Sequence, residues 1–209
     1  MFKAALRRKP SPRRLRLYGV ATCRRFWKRL PGAATRQLIE KVEAFADDEA
    51  TWHEVAMQRD LAQQLLRAKP LTAIPRVKSL EDLPPLKFWH LAVYTASRRL
   101  DEVSMAYLDL AQLRPDLRGE PDPEQADITR CIFGGLIRKA KFSKAWRTST
   151  AVGLARTMYD SRDFGAMPIL ADALEEAGCD SPDVLAHCRD PDGVHVRGGW
   201  VVDLVLGKS

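Results

Sequence analysis

The sequence predicts an all-α fold, either an irregular helical bundle or a short α-solenoid-like array. Three observations lead there. Apolar residues recur at helical spacing in segment after segment, no run alternates with period two strongly enough for a strand, and Gly or Pro corners separate the segments. No internal repeat holds a fixed period.

The first strong element is KPSPRRLRLYGVATCRRFWKRLPG. Ser11 suits the N-cap, Pro12 suits the first helical position, and Pro31-Gly32 stops the helix. At about 100° per residue, Leu15, Cys23, Phe26 and Leu30 share one side, with Thr22 and Trp27 at its edges. Arg13, Arg14, Arg24, Arg25 and Lys28 take the other side, and Arg29 sits near the boundary. Arg16 projects towards the apolar side and Leu17 towards the basic one. The expectation is a helix docked by its apolar side, with a free basic side. Residues 33–47 repeat the amphipathic pattern through Leu38, Val42 and Phe45, flanked by Ile39, and a third helix runs from Thr51 to Arg67.

KPLTAIPRVKSLEDLPP carries four of the 13 prolines and reads as an extended connection. A long helix or helix pair follows over 86–113, with Phe88, Leu91, Val93, Leu100, Val103 and Tyr107 as core positions. RPDLRGEPDPE is a second polar break. Helices are then expected near 123–139, 144–160, 165–177, 182–189 and 194–206. The resulting organisation is a basic N-terminal helical region (1–68), a Pro-rich connection (69–85), the central helix or pair (86–113), a polar linker (114–122) and a C-terminal helical module (123–209).

With 209 residues, 45% of them apolar and 29% charged, the chain has the profile of a folded protein with a sizeable core. Apolar stretches such as WVVDLVL fall far short of the roughly 20 residues that span a bilayer, and no signal peptide is visible. Cys23, Cys131, Cys179 and Cys188 include no C-x-x-C pair, so reduced thiols in a cytoplasm are expected.

Charge is distributed unevenly. Net charge is +7, yet residues 1–30 hold 11 Lys or Arg and no acid, leaving −4 on the remainder. That asymmetry points the N-terminal segment at a polyanion. An organellar transit peptide is the competing reading of an Arg-rich, acid-free start.

SPRRLRLYGVATCRRFWKRL, followed by IEKVEAFADDEAT, resembles the opening of a large group of planctomycete-type bacterial proteins, which share a Leu-Arg-Leu…Cys-Arg-Arg…Trp helix. The run from LARTMYDSRDFG through LADALEEAGCDSPDVLAHCRDPDGVHVRGGWVVDLVLGK is similar to that group's most characteristic segment. The resemblance covers about half of the chain, at both ends, and implies a bacterial origin and a single unit. It implies nothing about mechanism. Members often carry further cysteines where Val20, Thr22 and Gly199 stand here, which argues against an obligatory metal cluster at those positions.

Two candidate sites follow from the residues. The first gathers Cys179, His187, Cys188 and His195 within 17 positions, the residue types that zinc takes as ligands. Gly178 ends one helix, however, and Pro182 opens the next. A helix from Pro182 to Cys188 is about 10 Å long, which places Cys179 and Cys188 at opposite ends. Two helices joined by a turn are therefore expected there, with structural zinc binding as an alternative and no cofactor assigned.

The second candidate is nucleic-acid binding through Arg13, Arg14, Arg24, Arg25, Lys28 and Arg29, extended by Arg138, Lys139, Lys141, Lys144 and Arg147. Arg7, Arg8 and Lys9 would serve as an arm, and Phe142 and Trp146 as stacking platforms. Phosphate contacts carry no base information, so low sequence specificity is expected.

No P-loop, dinucleotide fingerprint, H-E-x-x-H or Gly-x-Ser-x-Gly elbow occurs. Asp172, Glu175 and Glu176 read as a solvated helix face, and His53 and His90 lack a nucleophile partner. The expectation is a cytoplasmic, non-catalytic binding protein for nucleic acid, with no membrane partner. The alternative is a protein–protein adaptor that docks through the C-terminal module and meets an acidic partner.

Overall fold

A computed structural model describes residues 2–67, 92–97 and 123–208. Among these residues the regular elements are all helical, and none of the helices is long and apolar enough to cross a membrane. The Pro-rich connection, most of the 86–113 segment and the 114–122 linker lie outside the described residues. The chain divides into two compact units. One joins Met1–Arg14 to Pro123–Ser209, and the other is Leu15–Asp122.

In the second unit the dominant element is α2, Pro12–Arg25, whose first residues belong to the other unit. Ser11 Oγ accepts from the Arg14 N–H at 3.4 Å, as an N-cap should. Every residue from Leu15 to Cys23 is buried. Burial over so many consecutive positions leaves no solvent side, which corrects the expectation of a helix with a free basic face. Three of its arginines, Arg13, Arg16 and Arg24, are accommodated by partners far along the sequence. Arg16 donates to the Ser97 carbonyl at 2.7 Å and lies over the rings of Phe45 and Trp52, 5.2 and 5.6 Å from their centroids. Arg24 grips Glu43 with two hydrogen bonds of 3.2 and 2.7 Å and covers Trp27. The helix also stops early. Hydrogen bonding tightens to i→i+3 at Phe26, and Trp27–Arg29 forms a 3-10 turn.

Helices α3, Gly32–Ala46, and α4, Trp52–Arg67, pack against each other. Leu38, Ile39 and Val42 of α3 and Val55 and Ala62 of α4 are buried, and Phe45 meets Trp52 edge-on at 5.6 Å. Thr51 and Glu54 form a capping box. The Thr51 N–H donates to Glu54 Oε2 at 2.8 Å, and the Glu54 N–H returns to Thr51 Oγ1 at 3.3 Å.

In the first unit, a short helix α1, Phe2–Leu6, precedes the Arg7-Arg8-Lys9 segment and packs against α5, Pro123–Arg138. The rest is α6, Ser149–Ser161, α7, Met167–Glu176, α8, Pro182–Arg189, and α9, Trp200–Leu206. Helix α6 starts later than expected because Thr148 caps it, accepting from the Ala151 N–H at 3.3 Å. Lys144–Trp146 is a separate 3-10 turn. Helix α9 likewise begins at Trp200 rather than near 194. The intervening residues form a connection in which Gly198 takes φ +88°, outside the helical region for an L side chain.

One core joins α6 to α9, with Met158, Leu170, Leu174, Val184, Trp200 and Val201 buried in it. The Trp200 indole lies flat on Gly134 and Gly135 of α5. A Cβ at Gly135 would stand 2.7 Å from indole Cε3, and one at Gly134 2.9 Å from Nε1. In an ordinary helix, Gly→Ala gains about 1 kcal/mol. Here overpacking against a buried ring decides the sign, and Gly135→Ala is expected to cost about 1–3 kcal/mol in urea unfolding.

Candidate metal centre

Cys131 lies on the buried side of α5, among Ile128, Thr129, Ile132 and Phe133. Its Sγ accepts the Val196 N–H at 3.4 Å, which draws the α8–α9 connection onto α5. The backbone fits closely, since a Cβ on Gly199 would come within 2.9 Å of the same sulfur. His195 sits in that connection, one residue before Val196. His187 comes from α8 and meets His195 ring edge to ring face, with centroids 4.9 Å apart. On its other side His187 rests 5.2 Å from the Trp200 ring, which fixes the imidazole against the core.

The result is a Cys–His–His cluster whose ligand atoms lie within 4.8 Å of one another. Among the described residues, no fourth Cys, His, Asp or Glu joins the set. The hydrogen-bond state is the informative part. His187 Nε2 and both ring nitrogens of His195 are buried and have no hydrogen-bond partner. Leaving a buried polar group unmade costs roughly 1–3 kcal/mol each, so such a cluster is expensive as mere packing. Coordination to a cation would satisfy a nitrogen of each ring at once.

The electrostatics keep these groups in ligand-competent form. Burial, with repulsion from His195 and Arg138, pushes His187 down to about 3, and burial also lowers His195. Both rings are therefore neutral near pH 7, each with a lone pair. Burial pushes the Cys131 thiol up to about 12, against the opposing Val196 N–H. A bound cation reverses that preference, because a coordinating thiol is deprotonated outright.

A cleft of about 170 Å³ opens beside the cluster. Cys131 and His187 line it together with Asp127, Arg130, Arg138 and Asp190. Arg130 is paired with Asp127 on the same helix. Arg138 is held more loosely, 3.7 Å from Asp183.

No protein-family model, curated protein or solved structure matches this chain.

Of the four candidate ligands suggested by sequence spacing, the structure brings His187 and His195 together, and the sulfur beside them is that of Cys131. Cys179 and Cys188 both lie in the α6–α9 core, and burial raises both thiols, Cys188 to about 12. Residues 187 and 188 point about 100° apart on α8, so when His187 faces Cys131, Cys188 faces the core. Nothing in local spacing marked Cys131, which stands far upstream on another helix.

The basic residues divide similarly. Arg13 chelates Asp203 at 2.6 and 3.1 Å and donates to the Tyr159 hydroxyl at 2.6 Å. Arg14 is half-buried with its Nε enclosed, and burial lowers its pKa. Arg24 is engaged by Glu43, Arg25 lies over Phe26, Arg29 is half-buried and Lys28 is exposed. In the C-terminal group, Arg138, Lys139, Lys141 and Lys144 are exposed. Arg147 donates to the Leu204 carbonyl at 2.9 Å, Trp146 is buried, and Phe142 packs on it edge-on. Asp172 and Glu175 both bond Arg189 at the surface, His53 is exposed, and His90 lies outside the described residues.

Proposed function

We propose that this chain is a transition-metal-binding helical protein. Its centre is formed by Cys131 Sγ with one nitrogen each from His187 and His195. The observation that carries the reading is the convergence of these atoms within 4.8 Å while His187 Nε2 and both His195 ring nitrogens have no hydrogen-bond partner. One soft sulfur and two imidazoles suit zinc, whereas magnesium and calcium take oxygen ligands. Zinc would hold these ligand atoms at about 2.0–2.3 Å from itself. The metal would tie α5, α8 and the α8–α9 connection together, and so act in the folding of this unit.

Zinc content after equilibration and gel filtration tests the reading. One zinc per chain is expected for the wild type and for Cys179→Ser and Cys188→Ser, and less than a tenth of that for Cys131→Ser. Full retention by Cys131→Ser would refute it.

A second reading is polyanion contact, supported by Arg138, Lys139, Lys141 and Lys144 as an exposed basic cluster at the end of α5. On this reading Arg13 and Arg24 contribute little, since they already hold the internal carboxylates of Asp203 and Glu43. Fluorescence anisotropy with short DNA and RNA duplexes and single strands should show binding that weakens steeply with salt. Reversing Lys139, Lys141 and Lys144 to Glu should lower affinity at least tenfold. Arg24→Glu should act chiefly on stability, because it opposes the buried Glu43.

A further inference from the structure

We propose that the metal at this centre leaves its fourth coordination position to a ligand from solvent, and that the adjoining cleft selects a small oxyanion of phosphate size there. This rests on the metal reading above. Zinc sites closed by four protein side chains are structural, whereas those with three keep an exchangeable position. Cys131, His187 and His195 supply three, and no further Cys, His, Asp or Glu among the described residues converges with them.

The direction of the open position follows from the lining. Two of the three ligands, Cys131 and His187, form part of the cleft wall, so the unfilled side of the metal faces that space. Asp190 also lines the cleft, but its Oδ1 accepts the Asp192 N–H at 3.2 Å, which ties it into its own turn. It stands outside the converging set.

The charges then decide what enters. A divalent cation bound by one thiolate and two neutral imidazoles leaves about one net positive charge at the centre. Arg130 is neutralised by Asp127. Arg138 stands 3.7 Å from the Asp183 carboxylate, so its guanidinium can turn to a ligand without giving up a tight ion pair. Arg presents paired N–H donors that match an oxyanion bidentately. A space of about 170 Å³ admits an ion of phosphate size with a few waters, and is below the 300–1,000 Å³ of pockets that hold drug-sized molecules.

The test uses the full chain loaded with cobalt(II), whose visible spectrum reports both the thiolate bond and the coordination number. Inorganic phosphate is titrated at constant ionic strength. The expected result is a saturable 1:1 change in the d–d bands, with the thiolate-to-cobalt charge-transfer band retained. Arg138→Ala should weaken the phosphate response at least tenfold, with the charge-transfer band and helical circular dichroism retained. Arg130→Ala should weaken it less.

Three results would overturn the inference. One is a spectrum with an intact charge-transfer band that phosphate does not move. Another is a spectrum that changes in Asp190→Ala before any phosphate is added, which would assign the fourth position to Asp190. Absence of the charge-transfer band from the start would remove the metal centre and this inference with it.

Discussion

Replacing Asp203 by Ala is expected to destabilise the protein by about 3–5 kcal/mol. Asp203 is wholly buried on α9, and its carboxylate receives two hydrogen bonds from Arg13. The Arg13 side chain is itself only 14% exposed and also bonds the Tyr159 hydroxyl. Removing the carboxylate strands a guanidinium in a site closed by protein, and the residual charge sets the size of the loss. Arg13→Ala should cost a similar amount by stranding the carboxylate. The double variant should cost clearly less than the sum, with a coupling energy of about 2 kcal/mol or more. Urea unfolding of the four proteins measures this. Additive losses would mean that the pair is not the anchor of the N-terminal segment.

The second large effect is a change of sign with metal. In chelator, His195 holds two buried nitrogens without partners, each costing roughly 1–3 kcal/mol. His195→Leu should therefore leave the metal-free protein as stable as the wild type, or more stable. With free zinc at a thousandfold excess over the dissociation constant, the wild type should gain about 4 kcal/mol, and the variant should gain almost none. The same substitution would thus be neutral or favourable in one buffer and strongly unfavourable in the other. Thermal unfolding with and without zinc reads both values. A penalty in chelator as large as the one in zinc would indicate a hydrogen-bonding role for His195 instead.

The two units differ in how much of them is legible in the sequence. Helix α8 is readable to the residue, because Gly178 and Pro182 punctuate its start by local steric rules. The same holds for the start of α2 at Ser11 and Pro12. What α2 faces is not readable. Periodicity places Arg13 and Arg24 on the basic side, and their partners Asp203 and Glu43 arrive from elsewhere in the chain. The long aliphatic stems of arginine also make burial inexpensive once the head group is paired.

The Cys131–His187–His195 cluster shows the same limit. His187 and His195 stand close in sequence and are brought together, but their sulfur partner is set by the packing of α5 against the α8–α9 connection. Trp200, seated on the Gly134-Gly135 surface, helps to fix that packing. Cys188 is nearer in sequence and is directed into the core by helical geometry alone.

The most direct test of the central claim is the zinc-edge X-ray absorption spectrum of the zinc-loaded protein. The proposed centre predicts one sulfur at about 2.3 Å and imidazole nitrogens at about 2.0–2.1 Å, with the sulfur scattering lost in Cys131→Ser. A shell without sulfur, or one with two sulfurs, would contradict it.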